Sequence, residues 1–120
     1  MSPARLRRVA PAEVAAALAT RTPADERLLV KHYLAVLAER APGSSVEVRV
    51  PPYAAAQVVE GVRHTRGTPP AVVETDPATW LDLATGALGW TEAVAAGRVR
   101  ASGERTDLST FLPLLEEESP

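Results

Sequence analysis

One group of side chains in this sequence is suited to binding an acidic group. Arg63, His64 and Arg66 lie within four consecutive positions, and Gly67 follows them. Guanidinium groups form paired hydrogen bonds with carboxylates and phosphates, and an imidazole can add a further donor. The surrounding stretch is rich in glycine, proline and arginine, which is also typical of a solvated loop. The cluster therefore predicts either a site for a carboxylate or phosphate, or an ordinary exposed turn.

The sequence offers few residues for catalysis or metal binding. It contains no cysteine, which removes disulfides, thiolate nucleophiles and sulfur-ligated metals. Its two histidines, His32 and His64, have no partner at a metal-ligand spacing. No glycine-rich phosphate motif follows a strand, and no serine stands in a nucleophile-elbow sequence. We therefore expect no catalytic residue, no metal and no cofactor.

A second set of candidate residues is apolar and lies in the second half of the chain. Aromatic residues make up only 4% of the sequence, so the few large side chains should anchor its apolar packing. Such residues could line an apolar ligand cavity or could form a plain core, and their types alone do not separate the two. The set consists of Trp80, Leu83, Trp90, Val94, Leu108, Phe111, Leu112 and Leu115.

Composition limits the class of protein further. A length of 120 residues suits one domain, and a net charge of -2 gives no basic excess for nucleic-acid binding. No apolar run approaches the roughly 20 residues that span a bilayer, and the basic start is not followed by the apolar region of a secretory signal. We expect a cytoplasmic protein with no integral membrane segment, consisting of a flexible N-terminus (1–9), one domain (10–115) and an acidic tail (116–120).

The first half of the chain predicts two helices and the beginning of a sheet. A short helix is expected from Pro11 to Ala19, and a longer one is expected from Thr22, its cap, to Pro42. After Ser45 the apolar period changes from helical spacing to alternation, which is typical of half-buried strands. We predict strands over 46–50, 53–60, 71–74 and 98–102. The apolar stripe of the long helix comprises Val30, Tyr33, Leu34, Leu37 and Ala41.

Glycines and caps divide the second half into short helices. Asp76 should cap a helix that ends at Gly86, and a second helix should run from Gly89 to Gly97 with Val94 facing inward. Thr106 or Asp107 should cap a last helix, which Pro113 bends or ends. Together these elements predict an α+β fold in which a mostly antiparallel sheet of four to five strands is covered by helices on one face.

This order of capped, glycine-terminated helices and strands resembles a known family. The segments Pro77–Gly86, Trp90–Gly103 and Leu108–Leu112 are similar to the C-terminal half of the sterol carrier protein type-two superfamily. The segments 46–53 and 63–70 are similar to a bacterial branch of it. The resemblance extends over residues 24 to 115.

This resemblance implies a sheet of about five strands and a hydrophobic tunnel for fatty-acyl or sterol-like ligands, closed by the final helix. It implies a non-catalytic carrier whose partner is a lipid-like small molecule. The first half is shorter than in the eukaryotic carriers and no peroxisomal tripeptide ends the chain, which argues against sterol itself. For an acyl ligand, Arg63, His64 and Arg66 would form a polar mouth.

A second relationship leads to a different class of function. The chain also resembles the C-terminal domain of bacterial thiol-dependent maleylpyruvate isomerases, but it lacks their metal-binding helical bundle. Under this alternative the protein is an accessory domain that binds another protein and has a filled core without a ligand. The oligomeric state is left open by the sequence.

Overall fold

The computed structural model describes residues 6–61, 71–104 and 106–115. It confirms the α+β fold, and each of the four predicted strands is present with its ends moved by no more than a few residues. In chain order the elements are α1 (Pro11–Thr20), α2 (Pro23–Arg40), β1 (Val46–Val50), β2 (Ala54–Val58), β3 (Ala71–Thr75), α3 (Pro77–Thr85), α4 (Trp90–Ala95) and β4 (Val99–Ser102).

Two helices begin where local side chains cap them. The hydroxyl of Thr22 accepts a hydrogen bond from the Asp25 N–H at 3.1 Å, and the Asp25 carboxylate accepts one from the Thr22 N–H at 3.0 Å. The carboxylate of Asp76 accepts a hydrogen bond from the Thr79 N–H at 2.7 Å. These bonds satisfy N–H groups that a helix leaves without partners in its first turn. The predicted starts of α2 and α3 are therefore confirmed.

Helix α2 lies at the centre of the molecule. Its predicted apolar stripe is buried, but the helix is buried on other sides as well, since His32 and Val36 are also enclosed. The reason is that α1, α3 and β2 all pack against it. A helix surrounded in this way carries far more of the core than a surface helix with a single apolar stripe.

The four strands form one sheet in the order β2-β1-β3-β4. The β1–β2 and β3–β4 pairs are antiparallel, and the β1–β3 pair is parallel. The sheet is thus mostly antiparallel, as predicted, and it also contains one parallel pair. Pro51 and Pro52 end β1, and the Tyr53 N–H donates to the Val50 carbonyl at 3.0 Å to close the turn into β2.

The two faces of the sheet differ in chemistry. Alternate residues of β1, including Val46 and Val48, are fully buried beneath the helices. On the opposite face Arg49, Glu74 and Arg100 occupy neighbouring positions across three strands. The apolar core therefore lies on one side of the sheet, between it and the helices.

The predicted final helix is wrong for the described residues 106–115, which contain neither helix nor strand. The Asp107 carboxylate accepts the Ser109 N–H at 2.9 Å, a local bond that competes with helix formation. Pro113 has no N–H to donate within a helix. The segment instead joins α3 through a hydrogen bond from the Leu114 N–H to the Ala84 carbonyl at 2.8 Å.

Candidate functional site

An apolar cleft lies between the end of α3, the start of α4 and the 106–115 segment. It has a volume of about 400 Å³, and four of its lining residues are large and apolar, namely Leu83, Leu88, Trp90 and Leu112. Leu83 is buried, whereas the other three are only partly covered. The remaining lining residues are Gly86, Gly89, Thr91, Glu92, Ser109 and Pro113. The cleft thus combines an apolar floor with a rim that is largely polar or glycine.

The connection between α3 and α4 positions two walls of the cleft. Gly86 ends α3 in the left-handed conformation, with φ +86°, which a glycine adopts without steric cost. The Leu88 N–H then donates to the Asp82 carbonyl at 3.1 Å, which folds the connection back on α3. Gly89 is the N-cap of α4, so Trp90 stands at the first position of that helix and lines the cleft.

The third wall is the 106–115 segment, which is held by both side chains and backbone. Leu108 and Leu114 are completely buried and anchor its two ends in the core. The Arg40 guanidinium donates to the carbonyl of Pro113 at 3.2 Å and also contacts the carbonyl of Leu115. Between these anchors, Leu112 is left partly exposed within the cleft.

The structure divides the predicted apolar site residues into three groups. Leu83, Trp90 and Leu112 line the cleft. Trp80 and Leu108 are buried in the core at 1% and 0% exposure, and Phe111 packs against the core while remaining partly exposed. Val94 is 46% exposed, so the expectation that it faces inward is wrong, and Leu115, which is 58% exposed, does not line the cleft.

The exposure of Val94 and Leu115 has a physical reason in each case. Helix α4 packs on β4 through Ala93, which is fully buried, and the next residue on the helix, Val94, consequently points away. A small side chain permits the close approach that valine would prevent. At the end of the 106–115 segment Leu114 enters the core and Leu115 does not, because the chain there is not helical.

Leu88 also lines the cleft but is not among the residues predicted from the sequence. Leu88 lies between Gly86 and Gly89 in the short connection from α3 to α4. Such connections are generally polar, so an apolar residue confined between two helix-terminating glycines is the signal that could have identified it.

Comparison with known families agrees with this architecture. A family model described as bacterial SCP ortholog, where SCP stands for sterol carrier protein, matches residues 21–114, more than three quarters of the chain. The chain belongs to this family. The match confirms the resemblance seen in the sequence, and all residues of the cleft lie within it. Among curated proteins no match is found.

In this family member one carboxylate, that of Glu92, and two hydroxyl residues, Thr91 and Ser109, form the polar side of the cleft. Glu92 lies in the first turn of α4, and Ser109 lies on the facing segment. Hydrogen bonds from the Ser109 hydroxyl and N–H hold the pKa of Asp107 below its usual range. Asp107 therefore fixes the turn that brings Ser109 to the rim.

The predicted polar mouth of Arg63, His64 and Arg66 lies outside the described residues and stays a prediction.

A second cleft, of about 470 Å³, differs from the first in its charge. Glu74, Asp76, Arg98 and Arg100 line it at the ends of β3 and β4. Arg98 has a structural role there, since its side chain donates to the Thr79 hydroxyl at 3.0 Å and pairs with Asp82 at 3.4 Å. Four charged side chains make this cleft unsuitable for an apolar ligand.

The described ranges contain neither a candidate metal cluster nor a helix that could cross a membrane. Within 6–61, 71–104 and 106–115, no three or more of the metal-binding residue types His, Cys, Asp and Glu come together in a group that could hold an ion. Across those same ranges, no helix combines the length and the apolar character needed to cross a bilayer.

Proposed function

We propose that this family member is a non-catalytic carrier of an apolar small molecule of the fatty-acyl or similar lipid-like class, and that the cleft beside Trp90 is its binding site. The observation that carries the proposal is the lining of that cleft, in which large apolar side chains from separate segments converge under a polar rim. Its volume of about 400 Å³ falls in the range of about 300–1,000 Å³ for small-molecule sites. Membership of a sterol carrier protein family supports the same class of ligand.

The large apolar side chains that line the cleft support binding rather than turnover. Leucine and tryptophan side chains contribute area and shape but cannot transfer protons or form covalent intermediates. Ligand affinity would come mainly from apolar surface removed from water, at about 25 cal/mol per Å² before the costs of association. On the basis of the cysteine-free composition, we propose that the carrier acts in the cytoplasm.

The two tryptophans allow a direct test of where a ligand binds. Trp90 lines the cleft, whereas Trp80 is buried at 1% exposure and its indole N–H lies 3.4 Å from the Val30 carbonyl. A spin-labelled stearic acid should therefore quench the emission of Trp90 in a saturable manner and leave most of the Trp80 emission. In the Trp90→Phe variant, which retains Trp80, the saturable quenching should disappear.

A matched pair of leucines controls for non-specific hydrophobic binding. Leu112→Gln places a polar group in the cleft and should weaken binding, whereas Leu115→Gln changes an exposed leucine outside it and should not. Absence of saturable quenching, or equal effects of the two substitutions, would contradict the proposal. Native mass spectrometry that finds no bound lipid, together with such a result, would favour the accessory protein-binding domain.

A further inference from the structure

A basic groove lies between the N-terminal segment and the first turns of α2, apart from the cleft beside Trp90. It has a volume of about 300 Å³ and is lined by Arg7, Val9, Ala24, Arg27, Leu28 and Lys31. It shares no lining residue with the apolar cleft. Three of its six lining residues are cationic and none is acidic, which distinguishes it from the mixed-charge cleft at β3 and β4.

The three cations lie close together, and their mutual repulsion destabilises the folded chain. Arg27 and Lys31 are four residues apart on α2, so their side chains share one face of the helix. Two like charges at this spacing destabilise a helix, and Arg7 adds a third positive charge from a different segment. Within the described part of the chain, none of the three forms an ion pair with a carboxylate.

The neighbouring contacts hold Arg7 in place without neutralising it. Arg8 pairs with Glu39 at 2.7 Å, and the Val9 N–H donates to Nδ1 of the buried His32 at 3.0 Å. These two contacts fix the segment that contains Arg7 against α2.

The acidic residues at the start of α2 are committed to other partners. Asp25 accepts hydrogen bonds within the helix cap. Glu26 accepts one from the Tyr53 hydroxyl at 3.2 Å. Within the described ranges neither of these acids forms an ion pair with a cation of the groove, so the three cations are not held by direct contact with them.

We propose that Arg7, Arg27 and Lys31 form a binding site for a phosphate monoester. A phosphate monoester carries a charge of about −1.5 to −2 at neutral pH and has three strong acceptor oxygens, which matches three cations better than a single carboxylate does. Arginine binds phosphate through paired donors, and lysine contributes a point charge. The partly buried side chains of Val9 and Leu28 provide an apolar wall for the part of the ligand next to the phosphate. The proposal does not depend on the function assigned to the apolar cleft.

The test is an NMR titration of the ¹⁵N-labelled full chain with two probes, glycerol 3-phosphate and dihexanoyl phosphatidic acid, at constant ionic strength. Both probes carry a phosphate monoester, and only the second carries acyl chains. Saturable amide shifts should centre on Arg7, Arg27 and Lys31. Equal affinity for the two probes would identify a soluble phosphate as the ligand type. Tighter binding of the acylated probe, with the gain lost in Leu28→Gln, would identify a lipid headgroup.

Arg27→Gln should weaken phosphate binding about three- to tenfold, because it removes one charge-assisted contact at a partly exposed site. Arg100→Gln removes the same charge from an exposed position outside the groove and should leave the affinity unchanged. The melting temperature of Arg27→Gln without phosphate should be equal to or above that of the wild type, since the substitution relieves like-charge repulsion.

Three results would overturn the proposal. The first is the absence of saturable shifts with either probe. The second is an equal loss of affinity in Arg27→Gln and Arg100→Gln, which would show a general charge effect. The third is binding to phosphatidylglycerol vesicles alone, which would indicate a membrane surface in place of a phosphate monoester site.

Discussion

The backbone N–H of Leu114 donates a hydrogen bond to the carbonyl oxygen of Ala84 at 2.8 Å. Ala84 lies in the last turn of α3, where carbonyl groups have no partner within the helix. The bond therefore satisfies the end of a helix and at the same time fixes the 106–115 segment beside it. One wall of the apolar cleft depends on this contact between residues 30 positions apart.

Leu114→Ala should destabilise the protein much more than Leu115→Ala. Leu114 is 0% exposed, and truncating a buried leucine costs about 2–5 kcal/mol of unfolding free energy. Leu115 is 58% exposed, so its truncation should change that free energy by no more than about 0.5 kcal/mol. Urea denaturation of both variants measures the difference. Equal losses would show that the 106–115 segment packs with a different register.

Gly43→Ala should be far more damaging than Gly97→Ala, although both glycines have positive φ. A Cβ on Gly43, at φ +147°, would lie 2.2 Å from the Val59 carbonyl oxygen, so backbone strain and steric overlap should together cost about 3 kcal/mol or more. A Cβ on Gly97, at φ +72°, would meet no atom within 4 Å, which leaves only the left-handed penalty of about 1–2 kcal/mol. Thermal unfolding distinguishes the two, and a similar loss in both variants would contradict the close approach at Val59.

Glu92→Gln should strengthen the binding of a fatty acid and leave the binding of the corresponding fatty alcohol unchanged. The Glu92 carboxylate lines the cleft and would repel the carboxylate of a fatty acid bound next to it. Its removal should raise fatty-acid affinity about two- to fivefold at low salt, with a smaller gain at high salt. Glu13→Gln, on the exposed face of α1, is the matched control. If the alcohol gains as much as the acid, the effect is not electrostatic.

Asp25→Asn should remove part of the acid sensitivity of the protein. Hydrogen bonds from the Thr20 hydroxyl, and then from the Thr22 backbone and side chain, hold the pKa of Asp25 below its ordinary value of 3.8. A lowered folded-state pKa stabilises the protein above pH 3.8, and this stabilisation is lost as the pH falls from there through the folded-state pKa.

The measurement is the melting temperature of the wild type and of Asp25→Asn between neutral pH and pH values below that range. The substitution should lower the melting temperature at neutral pH, and the gap between the two proteins should narrow in acid. Glu13→Gln changes the same charge without touching the cap and should show no comparable gap. A gap for Asp25→Asn that stays constant with pH would indicate that the cap works through shape and not through charge.

Much of the fold could be predicted because its signals are local. The caps at Thr22 and Asp76 act on residues three positions further along the chain, so sequence alone contains both partners. The alternation of Val46, Val48 and Val50 likewise identifies a strand without knowledge of its neighbours. Among the predicted site residues, Leu83 and Trp90 lie beside helix ends that Gly86 and Gly89 mark in the sequence itself, whereas Leu112 was assigned to a helix that does not form.

The rest depends on contacts that are distant in sequence. Leu108, Leu112 and Leu115 have helical spacing, yet the conformation of their segment is decided by Ala84 and Arg40. No local pattern reveals those partners. In the same way, the burial of α2 on several sides arises from elements that assemble around it, and its own spacing indicates a single stripe only.

The region around α2 and the region around the apolar cleft differ in how much regular secondary structure supports them. Helix α2 is 18 residues long and buried along much of its length, whereas the cleft is bounded by a six-residue helix, α4, and by a segment without regular secondary structure. Local opening requires less free energy where few backbone hydrogen bonds and apolar contacts are broken. We therefore expect subglobal unfolding around the cleft, the route by which the proposed ligand would enter, while α2 and the sheet keep their amide protons protected from exchange with solvent.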